Sequence, residues 1–444
     1  MEYVEGVKNK GLSEIADILQ GTCDRNSVTM NGMVYKVRDM ADFAFIILRK
    51  RSGLVQCVYN YAENNLPISD IPEESSVWIQ GRVRDDERAP GGFEIEVQDI
   101  KVLSKPAATM PVAVNKWKMG VGLDAELQLR PVILRNERKR AVFKLQEGLV
   151  RGFRDFLYTQ GFTEIHSPKI VSAGAEGGAN IFKLDYFGKK AFLAQSPQFY
   201  KQMMVPVYER VFEVAPVFRA EKHNTTRHLN EYMSMDFEMG FIDGFEDLMD
   251  MEAAMLRYTL HLLETEYTDS LKKVGVTLPD LPDQVPAVKF ADAKRMASEK
   301  YGRPIKNPYD LDPEEEVLIG KLFKEDYDSD FVFVTHYPSK KRPFYAMDDP
   351  ENPIYTLSFD LLFDGMEITT GGQRIHDYNE QVAKMEKRGM HPELFSSYLM
   401  AHKQGLPPHG GLGIGLERLL MRLIGENNVR YTSLFPRDQI RLDP

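Results

Sequence analysis

The chain has 444 residues, 43% of them hydrophobic and 27% charged, and a formal net charge of −10. That length exceeds a single core and predicts two domains, and the acidic balance restricts any nucleic-acid contact to a local basic patch. Cys23 and Cys57 are too few and wrongly spaced for a disulfide framework or a thiolate metal site, and with no leader-like opening and no long apolar run the expectation is a soluble, cytosolic protein that makes no membrane contact.

In chain order, residues 1–20 read as a short polar helix with Leu12, Ile15, Ile18 and Leu19 on one side. Between 28 and 104 the runs SVTMNGMVYKV, FAFIILRKRSGLVQCVYN, SSVWIQGRVRDD and GGFEIEVQDIKVL are β-rich and separated by turn signals. Four or five such strands predict a small barrel, of which the oligonucleotide-binding fold is one common kind. Residues 105–125 read as a linker, and 126–444 as the larger domain. There Val142, Phe143, Leu145, Leu149, Phe153, Phe156 and Leu157 form the apolar stripe of a helix that starts near Asn136 and ends at Gly161. In FLAQSPQFYKQMM (192–204), Ser196-Pro197 starts a helix with Gln198 and Lys201 on one face, which taken alone reads as a surface helix with a solvated lysine.

The stretch FRAEKHNTTRHLNEYMSMDFEM (218–239) crowds charges beside methionines. From Tyr232 it alternates, with Tyr232, Ser234, Asp236 and Glu238 on one side and Met233, Met235, Phe237 and Met239 on the other, the period of a half-buried strand. With RVFEVAPVFRAE before it, the segment predicts an antiparallel hairpin with Arg219, Glu221, Tyr232 and Asp236 on one floor. That floor is either a solvated face of paired charges or a site for an anionic ligand with a cationic reacting end. Residues 244–268 read as an amphipathic helix, and the proline-rich 276–352 as an insertion in the larger domain.

In SFDLLFDGMEITTGGQRIHD (358–377), Asp364-Gly365 signals a two-residue hairpin. Pairing Phe363 with Met366 makes Asp360 and Glu367 diagonal neighbours on one face, with the Thr370 hydroxyl nearby. Two carboxylates so placed hold a hard divalent cation or need another cation or a proton between them. The plainer alternative is a salt bridge between Glu367 and Arg374. In PPHGGLGIGLERLLMRLIG (407–425) a dinucleotide-binding reading, which needs a βαβ unit with an acid some twenty residues on, fails because the sequence ends nineteen residues after Gly425. What remains is a strand of small residues entering an apolar helix with Arg418 in its first turn, where glycine lets a flat ligand approach and arginine can stack on a base or meet a phosphate.

Together these segments resemble the class II aminoacyl-tRNA synthetases. GFTEIHSPKI (161–170) is similar to the first motif of that family, FRAE with its loop and strand to the second, and GLGIGLERLL to the third. Within the family, AGAEGGANIFKLDYFGKKAFLAQSPQFYKQ, ITTGGQRIHD, PPHGG and LFPRD resemble aspartyl-tRNA synthetases of the archaeal and eukaryotic type. The resemblance implies an α+β chain, with an antiparallel-sheet catalytic domain behind an N-terminal OB-fold anticodon-binding domain (1–104), acting as a cytosolic homodimer. It implies activation of L-aspartate by ATP with Mg²⁺, then transfer to tRNA(Asp).

Position by position, the resemblance implies that Arg219 holds the α-phosphate and the carboxylate being activated. Glu221 and His228 would surround the adenine, Tyr232 would stack on it, and Arg418 would meet the far phosphates. Asp360, Glu367 and Thr370 would hold Mg²⁺. Glu176, Ser196, Gln198 and Asp236 would surround the ammonium end and backbone of the amino acid, and Lys201 and Arg374, with His409, would read its side-chain carboxylate. In the barrel, Phe45 and Gln56 would stack on and read the middle anticodon base. Thr370 stands where serine is more usual and keeps the hydroxyl. Met33 stands where many members carry tryptophan, which favours the relaxed kind of enzyme that also places aspartate on tRNA(Asn). An asparaginyl-tRNA synthetase, the nearest rival, is disfavoured by Lys201 and by the HGG before the third motif. A catalytically silent RNA-binding paralogue would be expected to lack Arg219, Glu367 or Arg418, and all three are present.

Overall fold

A computed structural model describes residues 10–172 and 180–444. Met1–Val121 and Gly122–Pro444 form separate compact units. In the first, α1 (Ile15–Gln20) precedes β1 (Val28–Asp39), β2 (Phe43–Lys50), β3 (Gly53–Asn60), β4 (Ser76–Asp85) and β5 (Phe93–Ser104). The five strands close in the order β1-β2-β3-β5-β4, around Met30, Ile46, Leu48, Val55, Cys57, Ile79 and Ile95. Closure leaves no strand edge unpaired. The opening helix is shorter than expected: it starts at Ile15, only Ile18 of its apolar set is buried, and Leu19 is exposed.

The second unit opens with α2 (Leu123–Gln128), α3 (Arg130–Ile133) and the long α4 (Glu137–Thr159), whose N-terminus is capped by Asn136 accepting from the backbone of Arg138 and Lys139. Short β6 (Thr163–Glu164) and β7 (Ile170–Val171) precede a hairpin of β8 (Lys183–Tyr186) and β9 (Lys189–Leu193), then α5 (Gln198–Tyr208). The paired strands β10 (Arg210–Phe218) and β11 (Glu231–Gly240) follow, then α6 (Glu246–Glu266) and α7 (Thr268–Val274). Next come β12 (Ala287–Lys289), α8 (Phe290–Tyr301), α9 (Pro313–Tyr327) and β13 (Phe331–Thr335), then β14 (Ser358–Phe363), β15 (Met366–Arg374), α10 (Tyr378–Lys387), α11 (Ser396–Lys403), β16 (His409–Gly415) and α12 (Leu416–Leu423).

An eight-stranded sheet in the order β12-β13-β14-β15-β16-β11-β10-β6 forms the centre, antiparallel except at its two ends, where β12 pairs parallel with β13 and β6 with β10. One face packs on α4, α6 and α12 through Leu149, Phe153, Leu256, Leu263, Phe237 and Leu420. Helices α4 and α6 touch at backbone range, since a Cβ on Gly152 would lie 2.6 Å from Thr259 Oγ1. The segment 276–352, expected as an insertion, contributes to the central sheet. Its β13 is a buried strand of the sheet, and α8 and α9 bury Phe290, Ile319 and Phe323 against Val332, Val334 and Leu362. The run FVFVT has no alternation to betray it, because both of its faces are covered.

Candidate active site

The face of the sheet opposite α4 and α6 carries a cavity of about 700 Å³, within the range of a small-molecule site. The alternation of β11 builds its floor. Met235, Phe237 and Met239 sink into the core, so Ser234, Asp236 and Glu238 must point the other way. That polar face is buried, which rules out a solvated surface of paired charges. Directly opposite Asp236 and Glu238 on β16 stand Gly413 and Gly411. A Cβ on Gly411 would lie 2.2 Å from Glu238 Oε2, so the small residues of β16 give the carboxylates room to lie across it.

One end of the cavity is a balanced charge network. Lys201, 1% exposed, donates from Nζ to Asp236 Oδ2 at 3.0 Å and to the carbonyl of Leu412 at 2.8 Å, with Glu238 Oε2 at 3.3 Å. The solvated-lysine reading of α5 is therefore overturned, since its Gln198–Lys201 face turns inward. Arg374 donates from Nε to Glu238 Oε1 at 2.9 Å and from Nη2 to the carbonyl of Gly411 at 2.8 Å. Its partner is Glu238 and not Glu367, so the expected alternative of a Glu367–Arg374 bridge is not formed. Burial alone would push the Glu238 carboxyl up, but Arg374 and Lys201 outweigh it and hold the group below the usual range. Ser196 and Gln198 line the same end, and Ser196 Oγ accepts from the backbone of Gln198 at 3.1 Å.

The other end gathers Arg219, Glu221, His228, Tyr232, Glu367, Thr370 and Arg418. Arg219 and Glu221 lie just past β10, where the ladder continues as the Arg219 N–H donates to Asn230 O at 2.9 Å. The Arg219 guanidinium sits 5.8 Å over the Tyr232 ring. Arg418 Nη1 donates to Glu367 Oε1 at 3.4 Å. Burial, then the neighbouring Arg418, hold the His228 imidazole below its ordinary value.

Asp364 (φ 46°) and Gly365 (φ 69°) make the predicted tight turn, and Leu362 pairs with Glu367 as expected. A bulge then shifts the register, so that Asp360 pairs with Thr370. Strict alternation would have turned Thr370 into the core. The bulge buries Ile368 and Thr369 instead and brings Thr370 round to Glu367, at 3.3 Å. Burial and the Glu367 charge push the Asp360 carboxyl up, although Arg342 Nη2 donates to its Oδ1 at 2.7 Å. The Glu367 carboxyl is held low by Arg418, Arg342 and Arg219 against its burial. The Glu367 carboxylate beside the Thr370 hydroxyl fits Mg²⁺, which takes one or two carboxylates and leaves its other positions to water and phosphate. No group of three or more His, Cys, Asp or Glu side chains that could hold a metal occurs among the described residues, so phosphate oxygens would have to complete the shell.

Some expected residues stand elsewhere. Glu176 lies outside the described residues. Asp360 is behind Arg342 and is not part of the lining. His409 is fully buried behind the wall, where its Nδ1 donates to Pro407 O at 2.9 Å and its Nε2 accepts from Gln202 at 2.9 Å. Burial lowers its pKa to about 4, so it is neutral and carries no charge toward a carboxylate. Phe45 and Gln56 belong to the barrel unit. Phe45 is half-buried outside the apolar core, edge to face with Phe43 at 5.1 Å, and Gln56 donates to Glu94 at 3.0 Å. Sequence reasoning missed Arg227, Arg342, Tyr345 and Glu417 in the lining, and Glu238 in the charge network. Glu238 shares the polar face of β11 with Asp236, and that was its signal. Arg342 and Tyr345, in KKRPFY, have no periodic neighbours to mark them.

Residues 123–439 match the family model of tRNA synthetases class II (D, K and N), and residues 28–103 match that of the OB-fold nucleic acid binding domain. The chain is similar to an aspartate–tRNA(Asp/Asn) ligase of Deinococcus radiodurans, 47% identical over 423 residues that cover 94% of this chain and 96% of the relative. It is 38% identical over 439 residues to an aspartate–tRNA(Asp) ligase of Pyrococcus abyssi, covering 97% and 98%. Among solved structures it resembles an asparaginyl-tRNA synthetase from Pyrococcus horikoshii complexed with asparaginyl-adenylate, with a TM-score of 0.86 and 29% identity over 95% of this chain and 97% of the other.

Proposed function

We propose, for a chain that belongs to the class II tRNA synthetases (D, K and N), that it activates L-aspartate with ATP and transfers it to the 3′ end of tRNA(Asp) and of tRNA(Asn). The observation that carries the choice of amino acid is the pair Lys201 and Arg374, two buried cations at one end of a cavity whose other end holds Arg219, Arg418 and Glu367. With Asp236 and Glu238 as their built-in partners the network is neutral before substrate arrives, and a side-chain carboxylate would enter between two positive groups. If the substrate ammonium takes over Asp236, Lys201 is freed to meet the side-chain carboxylate, whereas the amide of asparagine would leave that charge unpaired, a loss on the order of 10³-fold in discrimination.

The reaction joins two anions, so it depends on positioning and charge neutralisation more than on any side-chain nucleophile. An α-carboxylate oxygen of aspartate attacks the α-phosphorus of ATP, the bond to the bridging oxygen breaks, and pyrophosphate leaves. Arg219 would hold the carboxylate against the α-phosphate while Arg418 draws charge toward the leaving phosphates, with Tyr232, Glu221 and His228 around the base. Glu367 and Thr370 would hold Mg²⁺, with Asp360 kept on Arg342 behind them and contributing through its charge; when bound, the ion adds positive charge to the phosphates. A ribose hydroxyl at the 3′ end of the tRNA then attacks the activated carbonyl and AMP leaves. Glu176, Ser196, Gln198 and Asp236 would receive the ammonium end. The barrel would read the anticodon through Phe45 and Gln56, and α4 with the strand after it would pair two copies as a homodimer. No described helix is long and apolar enough to cross a membrane, and work in translation would place the enzyme in the cytosol.

Charging of purified tRNA(Asp) and tRNA(Asn) with labelled aspartate, side by side, tests the tRNA range. Both should accept aspartate, as the name of the 47% identical relative and Met33 suggest. Charging of tRNA(Asp) alone would refute the relaxed reading and leave aspartate activation standing.

A further inference from the structure

None of the roles above uses the hairpin of β8 and β9. Its tip turns through Phe187 (φ 52°) and Gly188 (φ 77°), and Asp185 Oδ1 accepts from the Gly188 N–H at 2.8 Å, so the turn has a defined shape. Phe187 is 92% exposed and Tyr186 46%, with their rings edge to face at 5.0 Å. The two rings form an exposed aromatic pair at the tip. Lys183, Lys189 and Lys190 are exposed around it, against one carboxylate, Asp185. In a chain of net charge −10 this is a local basic patch interleaved with aromatics.

Both roots of the hairpin are stitched to the cavity wall. Before β8, Asn180 O accepts from Ala220 N at 2.7 Å, and Asn180 Nδ2 donates to Glu221 at 3.2 Å. After β9, Ala194 O accepts from Phe218 N at 2.9 Å, and Gln195 and Ser196 line the cavity itself. An extended chain from Ser196 to Phe187 reaches at most about 30 Å, so the tip lies no farther than that from the cavity wall, within reach of a strand whose end lies in the cavity.

We propose that this hairpin is an arm that receives the acceptor strand of the tRNA, with a base stacked on Phe187 and phosphates met by Lys189 and Lys190. Unpaired RNA is bound in this way, by stacking on aromatic faces beside cations that follow the backbone. The proposal rests on the tRNA-charging reading above. It deepens that reading by naming a contact outside the catalytic cavity.

The test uses the full chain with Phe187→Ala, Phe187→Leu and the double change Lys189→Glu, Lys190→Glu. Direct binding of tRNA by fluorescence anisotropy and the KM for tRNA in charging should each worsen about fivefold or more in all three. The double variant should also lose about 0.7 in its salt slope for each phosphate contact removed. Aspartate-dependent ATP–pyrophosphate exchange, which needs no tRNA, should stay within about twofold of the unaltered chain. Phe187→Leu separates stacking from apolar burial, because leucine keeps the bulk and lacks the ring face. Unchanged tRNA binding would overturn the arm. So would variants that dissociate a dimer in sedimentation at unchanged tRNA affinity, which would assign the patch to a second copy. Absence of exchange in the unaltered chain would instead sink the aspartate reading, and the binding assay would still decide the arm.

Discussion

At the scale of single residues, the account turns on how Lys201 is held. Its ammonium meets Asp236 and Glu238 in a fully buried network, where removing one partner leaves an uncompensated charge at a cost of about 3–5 kcal/mol. Lys201→Leu should therefore abolish aspartate-dependent exchange while ATP binding, measured alone by calorimetry, stays largely intact, with a thermal melt to show that the variant folds. Normal aspartate kinetics in that variant would remove Lys201 from specificity. Part of the cavity was legible from strand alternation, which fixes that Tyr232, Ser234 and Asp236 share a face, and part only from the family resemblance. Lys201 was ambiguous from its helix alone, because nothing local says which way a short helix turns. Its burial follows from tertiary packing against β11 and β16.

At the scale of elements, the bulge in β15 decides which groups face the cavity. Thr369, buried by that bulge, donates to Glu252 Oε1 of α6 at 2.5 Å, while Glu252 Oε2 is buried without a partner among the described residues. Burial raises the Glu252 carboxyl from 4.5 to about 8, so the folded protein holds a proton there that the unfolded chain releases. The sign follows directly. This stabilising contribution is complete below pH 4.5 and is lost as the pH rises toward about 8. Glu252→Gln keeps a neutral side chain of the same shape, so its stability relative to the unaltered chain should improve by roughly 3 kcal/mol between pH 4.5 and pH 7, read by denaturant unfolding. A difference that stays constant over this window would show that Glu252 is ionised in the fold. The two-residue turn was readable from Asp364-Gly365, since Asp-Gly readily takes the two positive φ angles of such a tight hairpin. The bulge three residues on was not, because Ile368-Thr369 carries no local signal and is set by packing beneath the strand. The same limit hid β13, whose two covered faces erase the alternation that marks a half-buried strand.

At the scale of the whole molecule, a closed five-stranded barrel and an eight-stranded sheet each build their own core. The turn-separated β runs foretold the first, and the long amphipathic helices with the alternating β11 foretold much of the second. The barrel keeps Phe45 on its outside, half-buried and clear of the apolar interior, where a base could reach it. The acidic chain concentrates positive groups where an anion must be met, at Arg219, Arg227, Arg342, Arg374 and Arg418 in the cavity and at the lysines of the β8–β9 hairpin. The central claim is that this cavity activates aspartate with ATP and rejects the neutral amide. Pyrophosphate exchange into ATP, run with aspartate and with asparagine in parallel and without tRNA, tests it most directly. Exchange with aspartate at least about 10³-fold more efficient than with asparagine is the predicted result. Equal exchange with both, or exchange with asparagine alone, would contradict the account.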